Sequence, residues 1–407
     1  MVAHIFTWLF VFTVPWQNVV FIPGLGTISK LLGIGAIAGT LLHVLFSGKV
    51  RPLISFHWLA IAYLMWILMS AFWAIARQES ILSDVNTYVQ IFVMMWVIWE
   101  AAPTGARLTG LLQAYVLGAY VAAGSTIFNY LTGAAIKQDA TRFSASGFDP
   151  NDLGMLLALA VPMAWYITTK SSNPFQRWLN RLYFVVGSVA ILLTSSRGAL
   201  VTAIVALAVI PWTLTHVRAG LRIGVVVIAV GAAVVAVQLV PEKSFERLAT
   251  TTSELEEGTL NSRLRIWKEG LALIPQRPFL GYGPAGWYPA VGMRIGNVAP
   301  HNTYLAIAVE EGLVGLFLYL CLFVVVLARL LALPTFERRV GLVQLATLMV
   351  AILPLGWHQN KASWLVLALL AAWSSVPVPA RLESTPVEPQ YPNPRRPVRI
   401  LPPAAIR

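Results

Sequence analysis

Residues 313–333 read LVGLFLYLCLFVVVLARLLAL, an apolar run broken by a single charge at Arg329. About 20 such residues wound into a helix cross roughly 30 Å of hydrocarbon, so the run has the length and character of a membrane span. It is continuous rather than alternating, unlike the strands of an outer-membrane barrel. In lipid its backbone polar groups must then be satisfied within a helix. Runs of the same kind recur at residues 59–75, 182–193 and 223–240.

Outward from these runs the whole chain has the same composition. Its 407 residues are 57% hydrophobic and 11% charged, where a soluble domain carries roughly a quarter charged residues. The expected fold is therefore all-α, a polytopic membrane protein of about twelve transmembrane helices. The segments are 5–22, 28–46, 54–74, 82–99, 109–131, 152–169, 182–196, 198–215, 223–240, 302–327, 340–356 and 362–376. The first has neither a charged start nor a small-residue cleavage site, so it reads as a retained span rather than a signal peptide.

The net charge of +12 does not point to nucleic acid, because the lysines and arginines sit in short loops between spans. Lys49 and Arg51, Arg107, Lys170 with Arg177 and Arg181, Arg218 with Arg222, and Arg329 with Arg338 and Arg339 fall in every second connection. That asymmetry predicts cytoplasmic N- and C-termini in a bacterial inner membrane. The two long connections, 132–151 and 241–301, then face the periplasm. The domain expected is 1–376, with 241–301 as a periplasmic segment containing short helices. Residues 377–407, rich in proline, form an expected disordered cytoplasmic tail.

Within 241–301, residues 262–274 have helical spacing, with Leu264, Trp267, Leu271 and Ile274 on one face. Asn261 or Ser262 would cap the helix, and Pro275 and Pro278 would end it. Its expected place is along the membrane surface, with Trp267 near the headgroups.

Several polar residues carry chemistry in this setting. Arg197, in Leu192-Leu193-Thr194-Ser195-Ser196-Arg197-Gly198, stands near the outer end of a span, where an arginine needs a partner or a wet cavity. The plainer reading is a tight turn whose guanidinium reaches the headgroups. Arg263 and Arg265 begin the amphipathic helix, and Lys268 lies about one turn on. A helix N-terminus with three cations suits an anion, and guanidinium groups pair bidentately with phosphate. Lipid headgroups would satisfy the same residues. Gly281, Gly283 and Gly286 in Pro278-Phe279-Leu280-Gly281-Tyr282-Gly283 permit turns and close backbone approach, but no βαβ unit surrounds them to make a nucleotide fingerprint.

His301 and Asn302 precede the span that starts near Tyr304. An imidazole with an ordinary pKa of roughly 6.5 can accept a proton from a sugar hydroxyl, and a neighbouring amide can orient ring or substrate. Glu310 and Glu311 fall inside or just below this span and call for a partner, Arg197 or Arg265. His358, Gln359, Asn360 and Lys361 form the last outer connection and are candidates for a cavity wall. The histidines are scattered and do not recur with carboxylates at metal-ligand spacing, so no metal and no other cofactor is expected. Cys321 sits alone in an apolar run, so no disulfide framework is available.

Three motifs in order carry a resemblance. They are Ser195-Ser196-Arg197-Gly198-Ala199; Asn261-Ser262-Arg263-Leu264-Arg265-Ile266-Trp267 followed by Pro278-Phe279-Leu280-Gly281-Tyr282-Gly283; and His301-Asn302-Thr303-Tyr304-Leu305 followed by Glu310-Glu311-Gly312. Together they resemble the O-antigen ligase and O-antigen polymerase superfamily of membrane glycosyltransferases, over about residues 140–375. Asp149-Pro150-Asn151-Asp152 is similar to a short segment common in that group.

The resemblance implies metal-independent, inverting transfer of a glycan from undecaprenyl diphosphate to a sugar hydroxyl of lipid A-core, on the periplasmic face. It implies that Arg197 and Arg265 bind the diphosphate and His301 activates or positions the acceptor. Arg263, Asn302, Tyr282, Lys268 and Glu311 would contact substrate. The chain departs from the pattern where related ligases carry an acid near the last outer connection, because His358 to Lys361 stand there. A polymerase or a protein O-oligosaccharyltransferase would share the donor chemistry, and a transporter of an anionic lipid or solute is the non-enzymatic alternative.

Overall fold

The computed structural model describes residues 2–24, 26–134, 142–217, 219–239, 242, 263–296 and 298–376. The expected caps Asn261 and Ser262, the greater part of 241–262 and the proline-rich tail 377–407 lie outside the described residues. In chain order the helices are α1 Val2–Thr13, α2 Ile28–Ser47, α3 Ser55–Ser70, α4 Gln78–Ala101, α5 Gly105–Leu131, α6 Pro150–Lys170, α7 Pro174–Leu193 and α8 Arg197–Leu207. They continue with α9 Val209–Thr213, α10 Ala219–Leu239, α11 Arg263–Leu273, α12 Trp287–Ile295, α13 Thr303–Glu310, α14 Gly312–Leu331, α15 Thr335–Ile352 and α16 Lys361–Trp373. The strands among the described residues, β1 Phe21–Ile22 and β2 Gly26–Thr27, make one antiparallel hairpin before α2.

Helix underlies each of the twelve apolar segments, but span by span the count is coarser than expected. Among the described residues, seven helices are long and apolar enough to cross a membrane: Ile28–Ser47, Ser55–Trp73, Gln78–Ala101, Gly105–Leu131, Pro150–Lys170, Arg197–His216 and Gly312–Leu331. Shorter apolar stretches are Ala3–Trp16, Ala219–Gly231 within α10 and Lys361–Trp373, and α7 and α15 carry arginines. The segment around residues 302–327 is not one helix either. Gly312, at φ +69°, separates α13 from α14, because glycine alone enters the left-handed region without steric cost.

The bundle presents its apolar surface outward. On α14, Phe317, Val324 and Leu331 are exposed at seven-residue spacing while Tyr319, Leu322, Phe323 and Val326 are buried, the arrangement of a helix with one face in lipid. α14 packs against α3, α16 against α4, and α15 against α8. Asp149 starts α6, its carboxylate accepting the Asn151 N–H at 2.8 Å, and Asn360 starts α16 by accepting the Ala362 N–H at 2.8 Å. Both caps stand at the end of the bundle that carries the cavity described below.

α11, α12 and α13 build a second small core of Ile266, Leu273, Tyr282, Trp287, Val291, Leu305 and Val309. Proline closes α11, as its sequence predicts: Leu273 is followed by a single 3₁₀ turn, Ile274–Gln276. The face expected to lie along the membrane surface is divided, with Trp267 and Ile274 packed against this core. Ile266, Gly270 and Leu273 are buried, whereas Leu264 and Leu271 are exposed. Gly270 decides this, because a Cβ there would stand 2.9 Å from the Trp287 ring and 3.0 Å from Leu305. Only glycine allows that side of the helix to seat.

Candidate active site

A cavity of about 1070 Å³ opens among the N-termini of α4 and α6, the residues before α12, the approach to α13 and the loop before α16. Carboxylates of Glu79, Asp84, Asp149, Asp152 and Glu310 line it, against Arg77, His301 and His358, with Trp287, Tyr288 and Trp357 as aromatic wall. Its acidic character comes from residues far apart in sequence that meet where several helices begin.

His301 lies in this wall at φ +46°, one of three non-glycine residues at positive φ among those described, with Ser195 at +49° and Ala285 at +59°. Ala285 also lines the cavity. Such backbone costs of order 1–3 kcal/mol and persists where surrounding contacts over-determine it. Here Trp267 Nε1 donates to the His301 carbonyl at 3.2 Å, and the Asn302 side chain accepts the Leu305 N–H at 3.0 Å to cap α13. Burial lowers the His301 imidazole below the ordinary histidine range, Arg263 adding to the shift and Asp149 opposing it. The ring therefore stays neutral and sits in the field of both a guanidinium and a carboxylate.

Arg263 is half-buried, and burial lowers its guanidinium while Asp149 opposes that shift. It precedes Trp267 by four residues, one helical turn, so the two share a face toward His301. Arg265 and Lys268 are exposed on other faces of α11. Arg197 is half-buried at the first turn of α8. Its neighbours tie it to the cavity wall. Ser196 Oγ donates to Asn151 Oδ1 at 2.9 Å, and a Cβ on Gly198 would stand 3.3 Å from Pro354. Arg142 closes over the same turn, donating to Asn151 Oδ1 at 2.8 Å and to the Thr194 carbonyl at 3.1 Å.

The expected partners of the two glutamates are not Arg197 or Arg265. Glu310 accepts the Trp287 backbone N–H at 3.0 Å and pairs with His358 Nε2 at 3.2 Å. Burial alone would lower the His358 imidazole, but the hydrogen bond and charge of Glu310, with the charge of Asp84, raise it. Burial raises the Tyr288 hydroxyl, and the charges of Glu310 and Asp84 add to the shift. Glu311 is wholly buried behind the cavity, accepting from Ser70 Oγ at 3.0 Å. Tyr282 turns inward, its hydroxyl bonded to Gln276 Oε1 at 3.2 Å, with Arg277 over its ring at 5.1 Å.

The structure thus brings together His301 and Arg263, while Arg197 follows Ser196, whose side chain bonds the cavity residue Asn151. Asn302, Tyr282 and Glu311 brace the wall from behind. The loop before α16 is stitched in by Trp357, whose N–H donates to Thr303 Oγ1 at 2.8 Å and whose Nε1 donates to Asp152 Oδ1 at 2.8 Å. Sequence reasoning had no site role for Asp84, Glu79 or Asp152. The available signal was polar residues at the N-termini of apolar helices, which also marks ordinary caps.

Among the described residues no group of three His, Cys, Asp or Glu side chains is arranged to hold a metal ion. The fold and cavity define a multi-helix membrane protein with a carboxylate-rich chamber flanked by arginines. Residues 182–320 match the model of a family described as O-Antigen ligase, and that match supports the O-antigen ligase superfamily. It spans Arg197, Arg263, Arg265, His301 and Glu310. A comparison with curated proteins finds no match.

Proposed function

We propose that this chain is a lipid-linked glycan transferase that moves a glycan from undecaprenyl diphosphate to a sugar hydroxyl of lipid A-core, as an O-antigen ligase does. The observation that carries the reading is His301, strained into a cavity large enough for sugars, with Arg263 close enough to influence its charge.

The charges divide the labour. A carboxylate-lined chamber repels a diphosphate, whereas carboxylates and aromatic rings suit sugar hydroxyls and sugar faces. The diphosphate belongs with the cations beside the chamber. Arg263 and Arg197 would hold it, stabilising the charge that grows on the leaving group as the glycosidic bond breaks. Arg265, exposed, meets the headgroup as the carrier arrives. His301 places the acceptor hydroxyl against the anomeric carbon from the face opposite the leaving group, and one displacement inverts the configuration. On this account the chamber faces the periplasm of the inner membrane.

Purified full-length protein given labelled diphosphate-linked glycan is the test, with lipid A-core and a second carrier-linked glycan offered as rival acceptors. Label on lipid A-core supports a ligase; label on the second glycan names a polymerase. Arg263→Ala is expected to lower kcat roughly a hundredfold to a thousandfold, and Arg265→Ala chiefly to raise KM for donor. Chelation should leave the rate unchanged.

A further inference from the structure

A second cavity, about 290 Å³, lies between α1, α2, α4 and the start of α16. It shares a helix face with the chamber. Along α4, Glu79, Ser83 and Asp84 line the chamber, and one turn further Thr87 and Gln90 line the groove. Ile91, Met94 and Val97 continue the groove at helical spacing. One stripe of one helix therefore grades from acid, through hydroxyl and amide, to hydrocarbon.

At this junction stand two lysines from separate helices. Lys30 lies in the first turn of α2 and Lys361 begins α16, next to the chamber residue Asn360. Each lines the groove, and among the described residues neither makes an ion pair. Ser29, wholly buried in the same wall, has a hydroxyl without a hydrogen-bond partner. Unneutralised like charges beside an unsatisfied buried hydroxyl call for an anion that accepts hydrogen bonds. The apolar remainder of the groove calls for a chain.

We infer that this groove binds a second, phosphate-bearing glycolipid, with its phosphate between Lys30 and Lys361, its chain along Ile91, Met94 and Val97, and its sugar turned into the chamber as acceptor. The inference rests on the transferase reading for the word acceptor, not for the lipid. The donor's diphosphate is already assigned to the arginines flanking the chamber, and no arginine lines the groove. A hydrocarbon chain alone would leave the lysines unpaired, and a soluble sugar would leave the apolar half empty.

The test compares the full chain with Lys30→Gln/Lys361→Gln in two measurements. In transfer assays with a bisphosphorylated glucosamine-disaccharide lipid bearing core sugars, the double variant should raise acceptor KM by roughly tenfold to thirtyfold. Its kcat and donor KM should stay close to wild type, and the penalty should disappear with the dephosphorylated lipid. A rise in donor KM instead, an unchanged acceptor KM, or an equal penalty without phosphate overturns the inference. Native mass spectrometry of the same lipid on both proteins separates the two readings. If wild type transfers nothing yet retains the lipid and the variant loses it, the groove stands and the transferase reading falls. Equal retention, or displacement of the lipid by phosphatidylglycerol at equal concentration, overturns the groove.

Discussion

His301 keeps its place through its backbone as much as its ring, since φ +46° is stable only while Trp267 grips its carbonyl and the next residue, Asn302, caps α13. His301→Ala is expected to abolish transfer while donor binding, measured by retention of labelled carrier lipid, persists; a transporter would tolerate the change. Because burial and Arg263 hold the imidazole low, its neutral form survives as pH falls. Activity should hold through about pH 6.5, the ordinary histidine value, and fail only below it; an acid limb centred above that value would contradict the role. His358 answers a different need. Its ring pairs with a nearly buried Glu310, so His358→Ala should cost about 3 kcal/mol of stability, read as a fall in thermal midpoint. His301 was legible in sequence as a polar residue between a proline and an apolar run. That Arg263 is half-buried and Arg265 exposed was not, since alternate residues on a helix differ only in what they face, and Gly270 turns its side of α11 onto Trp287.

The glycine-rich loop before α12 shows why elements rather than single residues fix this site. Tyr282 N–H donates to the Val309 carbonyl at 2.9 Å, Gly283 N–H to the Glu310 carbonyl at 2.7 Å, and Leu313 N–H to the Pro278 carbonyl at 2.8 Å. Backbone lies directly on backbone. Gly281, at φ +66°, would set a Cβ within 2.3 Å of the Glu310 carbonyl oxygen. Gly281→Ala should therefore destabilise the protein by roughly 2–4 kcal/mol, and a thermal midpoint equal to wild type would contradict the packing. The sequence made these glycines visible as turns. It could not show that they clasp the break between α13 and α14, because the partner segment lies some thirty residues on and no local periodicity records it. The same limit made 302–327 read as one span: hydropathy is blind to a single left-handed glycine.

Across the whole molecule, the helical architecture was legible, because bilayer thickness and backbone satisfaction leave so few choices. The number of spans was less so, since short and charged helices satisfy one criterion and fail the other. The acidic chamber was the least legible feature, as Glu79, Asp84, Asp152 and Glu310 converge only after α4, α6 and α13 have packed. The central claim is that arginines beside this chamber hold a lipid-borne diphosphate while His301 presents the acceptor. Its most direct measurement is single-turnover transfer of labelled glycan from undecaprenyl diphosphate by wild type, Arg263→Ala and His301→Ala in liposomes. The account predicts labelled acceptor with inverted anomeric configuration from wild type, transfer slowed roughly a hundredfold or more in Arg263→Ala, and none from His301→Ala. Undiminished transfer by both variants, or retained configuration in the product, would contradict it.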